Sequence, residues 1–408
     1  MTYKNYQFMK QRGIYILLIL FLTAAAAQAQ TDSSKVFEVY GFAQMDFGYN
    51  FNQVNPQYYD AMRPSRLPAY KNQFGTDGNT YFSVRQSRFG VKSSIPTKFG
   101  EFKAVFDFDM YGVGADAGKT TIRLRHAYGQ LGHFGAGQTE SPFMDLDVFP
   151  NTLDYWGPCG MLFYRNIQVR WIPIVGPTNL VFALEMPGAS GDNGIYADRI
   201  ELSQVRARFP LPDLSGHYRV AKKWGYVQLG GIVRSIQWED QSTSGLYDLS
   251  GSAVGWGVSL STGLNLGKKA LLHLQGIYGE AVENYFNDAP VDIGIKNNFS
   301  DPTKPVVGVA LPDVGLVAFL DYNWSSKFTS SVGYSTTIIT NSDAQEDDAY
   351  HKGQYIVANL LYNPVPNVMT GVELQWIDRE NYNDGFTSQA TKINFTFKYN
   401  FSAKFYGK

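Results

Sequence analysis

The feature that most constrains this chain is an alternation of apolar and polar residues, repeated in many segments of roughly ten residues. The last segment is the clearest, with Ile393, Phe395, Phe397, Tyr399 and Phe401 on one face. A period of two is typical of β-strands, in which successive side chains point to opposite faces. After residue 30, no window approaches the roughly eighteen consecutive apolar residues that indicate a transmembrane helix. The sequence therefore predicts an all-β protein.

The first thirty residues have the features of a secretory signal peptide. Three basic residues precede the apolar run Ile14–Leu22, and the small residues of Ala27-Gln28-Ala29 follow as a cleavage site. The basic residues are Lys4, Lys10 and Arg12. A single membrane-anchoring helix is the alternative, but its apolar core is short for a bilayer span. We therefore expect residues 1–29 to be a signal peptide and residues 30–408 to form one exported domain.

Two kinds of β-protein fit the alternation, and the composition favours one of them. Only 17% of the residues are charged, against about a quarter in a typical soluble chain, and 15% are aromatic. A soluble sandwich would show the same alternation with its polar faces in water. The export signal, aromatic residues at strand ends and small polar residues on the other face favour a transmembrane antiparallel β-barrel. Because lipid cannot hydrogen-bond to backbone groups, such a sheet must close.

Sixteen strands are predicted, an even number as expected for a bacterial barrel with both termini in the periplasm. They lie at 36–49, 80–95, 100–112, 120–131, 134–138, 162–172, 178–186, 214–221, 225–238, 252–266, 270–283, 313–324, 328–340, 351–362, 368–379 and 388–401. Short turns alternate with long loops, which we place on the periplasmic and outer sides respectively. Fourteen or eighteen strands are the alternatives. A barrel of about sixteen strands encloses an aqueous channel.

The predicted strand 120–131 carries two arginines on its inward face. Alternation places Ile122, Leu124 and Tyr128 towards lipid. Arg123 and Arg125 then point inward, and His126 falls on the lipid-facing side. The preceding strand directs Asp107 and Asp109 inward. A compact hairpin would pair Asp109 with Arg123 and Asp107 with Arg125. These four residues either stiffen the wall or take part in transport. Other arginines with inward or loop-base positions are Arg88, Arg165, Arg170, Arg219 and Arg234.

The loop at 139–161 is acidic and also unusually apolar. Its carboxylates are Glu140, Asp145, Asp147 and Asp154, and it contains no basic residue. A loop with this many large apolar residues, among them Phe143, Leu146, Val148, Phe149, Leu153 and Trp156, should pack against something, and the inner wall of the barrel is the most sheltered surface available. We therefore predict a constriction loop that folds inward and places carboxylates opposite arginines. Charge arrangements of this kind tune which ions pass.

Several short motifs resemble the DcaP-like family of trimeric outer-membrane porins. They run through nearly the whole exported chain and are 85–90, 123–128, 137–141, 157–158, 212–214, 278–280 and 359–364. The resemblance implies a sixteen-stranded barrel, a homotrimer in outer-membrane lipid, and diffusive uptake of small, often anionic solutes such as dicarboxylates. Some members carry a helical periplasmic extension, for which the segment 30–35 leaves no room before the first strand.

Other function classes find less support in the sequence. With 35 basic and 36 acidic residues and no basic block, nucleic acid is not expected as a partner. One cysteine and no cluster of ligands predict neither a disulfide framework, nor a metal site, nor a cofactor. No nucleophile accompanies the only clearly lumenal histidine, His273, so an enzyme is not expected. A structural or adhesin-type barrel without significant conductance is the remaining alternative to a porin.

Overall fold

The computed structural model describes residues 35–243 and 245–407, and its main element is one large antiparallel sheet. The predicted signal peptide lies outside the described residues. The strands are β1 (Val36–Asn50), β2 (Asn79–Ser83), β3 (Arg88–Thr97), β4 (Gly100–Tyr111), β5 (Thr120–Leu131), β6 (Phe134–Glu140), β7 (Arg165–Ile174), β8 (Asn179–Glu185), β9 (Val205–Arg208), β10 (Asp213–Lys222), β11 (Gly225–Asp240), β12 (Gly251–Leu266), β13 (Ala270–Glu280), β14 (Ile293–Asn297), β15 (Val306–Ala310), β16 (Pro312–Asn323), β17 (Phe328–Ile339), β18 (Tyr350–Tyr362), β19 (Val368–Asn381) and β20 (Thr387–Tyr406).

The sheet closes on itself because β1 pairs with β20 along one edge and with β2 and β3 along the other. β2 and β3 both pair with β1, one after the other, and together occupy one strand position of the wall. β9 and β10 share a second position in the same way, since both pair with β11. The wall therefore has sixteen positions, and the prediction of a sixteen-stranded antiparallel barrel is confirmed. In the described ranges, no helix is both long and apolar enough to span a membrane.

The lipid-facing and lumenal sides of the wall follow the alternation of the sequence. On β12, Leu260 is 56% exposed, whereas its neighbours Ser259 and Ser261 are buried on the lumenal side. On β20, Phe395 and Phe397 face outward and Asn394 and Thr396 inward. The buried apolar clusters lie on the lumenal side, where long loops pack against the wall.

One predicted strand, 80–95, is interrupted. Between β2 and β3 the chain makes a turn in which the Ser87 amide donates to the Val84 carbonyl at 3.0 Å. The turn directs the fully buried guanidinium of Arg85 to Asp60, and Arg85 also contacts the hydroxyl of Tyr111 at 3.1 Å. The interruption therefore holds the loop 51–78 against the inner wall.

The ends of other strands also differ from the prediction. The strand expected at 162–172 begins only at Arg165, because the preceding residues hydrogen-bond across the lumen. The strand expected to end at Phe401 continues to Tyr406, paired with β1. The short segment β9 and the hairpin of β14 and β15, which lies inside the predicted loop 284–312, were not anticipated. Their few residues give too little alternation to stand out.

Candidate functional site

The loop 141–164, between β6 and β7, crosses the interior of the barrel. The amides of Leu153 and Asp154 donate to the Glu373 carboxylate on β19 at 2.6 and 2.9 Å. At the other end of the loop, the Gly160 amide donates to Ser335 on β17 at 2.9 Å. These strands lie on the side of the barrel away from β6. The inward fold predicted for this segment is therefore present.

Apolar side chains fix the same loop along its length. Phe143 is fully buried in a cluster that includes Ile232 and Ile277 of the wall. Val148 and Met161 are fully buried in a second cluster, formed with residues of β16, β18, β19 and β20. Burying apolar side chains of this size contributes about 1.5–3 kcal/mol each. The loop is consequently part of the barrel core rather than a free segment.

Opposite the loop, Asp109 on β4 forms the centre of a charged network. It accepts hydrogen bonds from Arg123 at 3.1 and 2.7 Å, from Arg125 at 2.9 Å and from the hydroxyl of Tyr155 at 2.6 Å. The predicted pair of Asp109 and Arg123 is thus present. The network also ties the constriction loop, through Tyr155, to the wall.

The predicted pair of Asp107 and Arg125 is wrong, because β5 contains a bulge at Arg125. Phe108 lies opposite Leu124 but Asp107 lies opposite His126, so Arg125 has no partner residue in the register. Asp107 instead accepts from the Tyr40 hydroxyl at 3.0 Å and from the His126 amide at 3.1 Å. A bulge inserts one residue into a strand and reverses the parity beyond it.

The parity change also corrects the lipid-facing assignment of His126 and Tyr128. The His126 ring lies 2.8 Å from Glu140, measured between Nε2 and Oε1, and its Nδ1 lies 3.0 Å from the Thr139 hydroxyl. The guanidinium of Arg170 lies over the Tyr128 ring, 5.5 Å from the ring centroid. Both side chains therefore belong to the lumenal network.

Three cations beside this network are not neutralised by a partner. Arg88, Arg165 and Lys398 make no ion pair within residues 35–243 and 245–407. Nε of Arg88, Nε of Arg125 and Nη1 of Arg165 are buried without a hydrogen-bond partner in the same ranges. Aromatic rings cover all three of these cations. The Phe42 centroid lies 3.8 Å from the Lys398 ammonium and 5.3 Å from the Arg88 guanidinium, and the Phe163 centroid lies 4.8 Å from the Arg165 guanidinium. The positive charges of these three side chains are therefore available to an anionic ligand.

We refer to Arg88, Arg123, Arg125, Arg165 and Lys398 as the basic wall. Its five cations face three carboxylates, those of Asp107, Asp109 and Glu140. Asp46 on β1 is the next carboxylate, and it accepts hydrogen bonds from Gln44 and Gln86. With Asp46 included, the cations still outnumber the carboxylates. The region is therefore net positive.

A cavity of about 340 Å³ separates the basic wall from the constriction loop. Arg88, Arg125 and Lys398 line one side, and Leu146, Phe149 and Tyr155 line the other. Apolar and cationic surfaces thus face each other across a narrow space. Low-dielectric walls of this kind strengthen the field of fixed charges, and screening at physiological salt acts over about 8 Å.

The acidic residues of the loop are engaged elsewhere. Asp145 and Asp147 both bind Arg219 on β10, and Asp145 also accepts from Ser261 at 2.6 Å. The Asp147 side chain remains 63% exposed. Asp154 is buried and paired with Lys392 at 3.2 Å. Asp145 and Asp147 therefore face Arg219 instead of the basic wall, and Asp154, although it lines the cavity, is neutralised by Lys392.

Two further predicted arginines have local partners. Arg170 hydrogen-bonds to Gln168 at 3.0 Å and to the Glu140 carbonyl beside the basic wall. Arg234 is fully buried, paired with Asp213 at 3.1 Å and Asp292 at 2.9 Å. Arg234 therefore fixes a loop and leaves no surface for a solute.

Sequence reasoning missed several residues of the site. Lys398 stands on the polar face of the last strand, so its inward direction was predictable even though its role was not. Tyr155, Tyr40 and Phe42 carried no signal, because aromatic residues are frequent throughout this chain. Their positions depend on the loop path and on the strand register.

We expect replacement of Glu373 by alanine to loosen the constriction loop. The change leaves the amides of Leu153 and Asp154 without their acceptor, and each lost hydrogen bond to a charged group costs about 1.5–3 kcal/mol. Single-channel recordings should show larger and noisier current steps. A matched control is Glu380→Ala, which removes from the same strand a half-exposed carboxylate paired with Lys352. Identical current steps in Glu373→Ala and the unaltered protein would show that this carboxylate does not hold the loop.

Comparison with known proteins places this fold. The model of the DcaP outer membrane protein family matches residues 23–401. The crystal structure of the outer membrane channel DcaP of Acinetobacter baumannii is 20% identical, with a TM-score of 0.75 over 92% of this chain and 100% of that chain. An anion-selective porin from Comamonas acidovorans is 10% identical, with a TM-score of 0.56 over 90% and 100%. The trimer form of OmpT from Vibrio cholerae is also 10% identical, with a TM-score of 0.54 over 90% and 100%. No curated protein matches the sequence.

Proposed function

The chain belongs to the DcaP outer membrane protein family, and we propose that it is a passive channel for small hydrophilic solutes that favours anions. As a member of this family it is an outer-membrane channel of a Gram-negative bacterium. The proposal adds the sign of the selectivity and the class of solute. It also holds that the barrel performs no catalysis and that its partners are lipid and solutes.

The observation that carries the anion preference is the excess of cations on the basic wall. Arg88, Arg165 and Lys398 have no carboxylate partner in the described ranges. Arg88 and Lys398 line the cavity together with Arg125. A cation at 10 Å attracts an anion by about 1.7 kcal/mol at an effective dielectric constant of 20. Anions should therefore be enriched at the narrow part of the path.

Dicarboxylates are the proposed favoured solutes because several cations are clustered on the basic wall. Arg88 acts electrostatically on both Lys398 and Arg125, and Arg165 also acts on Arg125. A cluster of donors suits a solute with a carboxylate at each end, since guanidinium groups bind carboxylates in a bidentate geometry. The apolar surface of Leu146 and Phe149 would contact the carbon chain between them.

Planar-bilayer recordings in a salt gradient test the function and its selectivity together. We expect discrete conductance steps. We also expect the reversal potential to have the sign that results when anions permeate more readily than cations. Proteoliposome swelling should then be faster with a dicarboxylate than with a dication or a neutral sugar of similar size. Absence of conductance would favour the structural or adhesin-type barrel, and a reversal potential of the opposite sign would reject the anion preference alone.

The proposed assembly is a homotrimer, in keeping with the family resemblance. Small residues on the outer face of β1, Gly41 and Ala43, would allow close packing of barrels. Phe401 covers Gly41, however, so that only Ala43 is exposed there. Cross-linking in mild detergent should give a band of three chains, and a product limited to single chains would contradict the trimer.

A further inference from the structure

A second cavity, of about 180 Å³, lies among the long loops, away from the basic wall. One side of it is formed by β9 and by the end of β11, with Ala207 and Ile236 in the lining. The other side is the hairpin of β14 and β15, with the loop 187–204 beside it. None of the described residues that line it also lines the cavity at the basic wall. The two cavities are therefore separate sites.

The surface of this second cavity is mainly apolar. Ile236, Ile293 and Ile295 line it, and each is at most 8% exposed. Ala207 lies directly opposite Trp238 of β11 in the register, so their side chains share the face that also carries Ile236. Ala207 is nevertheless exposed. An alanine on an inner face stays exposed where no neighbouring side chain fills the space beside it.

The lining offers little to a charged ligand. Asp192 is the single charged side chain among the described lining residues. Its carboxylate already accepts hydrogen bonds from the Gly194 amide at 2.8 Å and from the Gln345 side-chain amide at 2.9 Å. A charged ligand would therefore lose its hydration in this cavity without gaining a free counter-charge, which costs free energy. An uncharged ligand meets no such cost.

Trp238 gives the cavity a fixed aromatic surface. Its indole N–H donates to the Leu249 carbonyl at 3.0 Å. A Cβ at either Gly251 or Gly308 would lie 2.5 Å from the indole, so glycine at these positions lets the backbone pack directly against the ring. Phe209 supplies a second aromatic ring to the lining. Aromatic rings attract other rings in edge-to-face and offset contacts, so this lining favours a ring-shaped ligand.

We propose that this cavity binds one small uncharged molecule with a single ring, such as a monocyclic aromatic compound. An engineered apolar cavity of about 150 Å³ is known to stay dry and to bind benzene. A cavity of about 180 Å³ therefore accommodates one ring with a small substituent. Asn193, an uncharged polar residue of the lining, would hydrogen-bond to a hydroxyl on that ring.

A ligand in this cavity would fasten the hairpin to the wall. Ile293 of the hairpin and Ile236 of β11 belong to one buried cluster, which the ligand would extend to Ala207. The chain enters the hairpin soon after Tyr285 and Phe286, which pack against the constriction loop. Because a ligand that binds only the folded state stabilises it, occupation of the cavity should stabilise the hairpin in its observed position.

Fluorine NMR of the purified full-length barrel in detergent tests the proposal, with 4-fluorophenol as the probe. Phenols of this kind are uncharged at pH 7. The unaltered barrel should broaden the fluorine signal in a saturable way, with one site per chain. Ala207→Leu places a larger side chain in the cavity and should abolish the saturable part. Ala197→Leu makes the same change at an exposed position outside the lining and should bind like the unaltered protein.

A second filling variant and two charged analogues complete the experiment. Val306→Phe fills the cavity from the hairpin and replaces Ala207→Leu if that variant does not assemble. With 4-fluorobenzoate and 4-fluorobenzylamine, the unaltered protein and Ala207→Leu should give equal signals, whatever the carboxylate does at the basic wall. Arg88→Ala/Lys398→Ala should retain saturable binding of 4-fluorophenol, so the result does not depend on whether the channel prefers anions.

Three outcomes would overturn the proposal. One is a signal from the unaltered protein that does not saturate, which would mean that the probe only dissolves in the detergent. Another is saturable binding that is equal in Ala207→Leu and the unaltered protein, which would place the probe elsewhere. The third is binding of a charged analogue that Ala207→Leu abolishes, which would show that the cavity does not select uncharged molecules.

Discussion

Replacement of both Arg88 and Lys398 by alanine is expected to abolish the anion preference of the channel. Both cations line the cavity between the basic wall and the constriction loop, and neither makes an ion pair in the described residues. The variant would retain three cations against the carboxylates of Asp107, Asp109 and Glu140 on this wall. The ratio of anion to cation permeability should fall by roughly tenfold, since each charge contributes on the order of 1 kcal/mol at this range.

The absence of carboxylate partners makes this pair more informative than Arg123 and Arg125. Those two arginines share Asp109, and their removal would leave a buried carboxylate alone and disturb the bond to Tyr155. A buried charge without its partner destabilises a protein by about 3–5 kcal/mol. Arg88 and Lys398 can be removed without that cost, so a change in current would report the pore and not a misfolded wall.

A control with the same change in net charge completes the test. Arg206 on the short strand β9 and Lys71 in the loop 51–78 are both exposed and lie away from the cavity. Alanine at both of these positions should leave the reversal potential unchanged. If Arg88→Ala/Lys398→Ala assembles normally and also keeps its reversal potential, the basic wall does not select ions.

The wall of the barrel could be predicted because lipid on one side and water on the other impose alternation on every strand. The sixteen positions and their order follow from that constraint, together with the lengths of the connections. The limits appear where the chain departs from regular pairing. At Arg125, one extra residue reverses the parity, and nothing in the run from Arg123 to Tyr128 marks which residue is the extra one. His126 and Tyr128 were therefore given the wrong face.

The charges of the site were predictable in kind but not in pairing. The sequence identifies Asp107, Asp109 and the arginines as inward-facing, yet their partners depend on the path of the constriction loop. Tyr155 reaches Asp109 only because the loop crosses the lumen, and Arg219 takes the loop carboxylates Asp145 and Asp147. Contacts between residues far apart in the sequence follow from closure of the whole barrel, which no local pattern describes.

The last strand provides the second large effect that we expect. Deletion of residues 388–408 should abolish assembly, because β20 pairs with β1 along all fifteen positions from Val36 to Asn50 and closes the barrel. Without it, both neighbouring strands would expose unpaired backbone groups to lipid, at several kcal/mol for each group. The folded form, which migrates differently from the boiled form on a denaturing gel, should be missing.

A shorter deletion, of residues 402–408, tests how much of this closure the tail supplies. The sequence marks Phe401 as the aromatic end of the strand, and on that basis loss of the tail could be tolerated. In the structure, Ser402–Tyr406 pairs with Val36–Tyr40, and Ser402 donates to Glu38 at 2.7 Å. We therefore expect the shortened barrel to assemble but to unfold at a clearly lower temperature.

The physical reason is that the tail protects the first residues of β1 on one side. Val36–Phe42 pairs with β3 on the other side, so loss of the tail turns a central strand into an edge and also removes the contact of Phe405 with Phe37. Lys404→Thr keeps the backbone pairs and changes only an exposed side chain, and it should melt like the full-length protein. Equal melting temperatures for the full-length and shortened barrels would mean that closure ends at Phe401, and that the pairs beyond it contribute no stability.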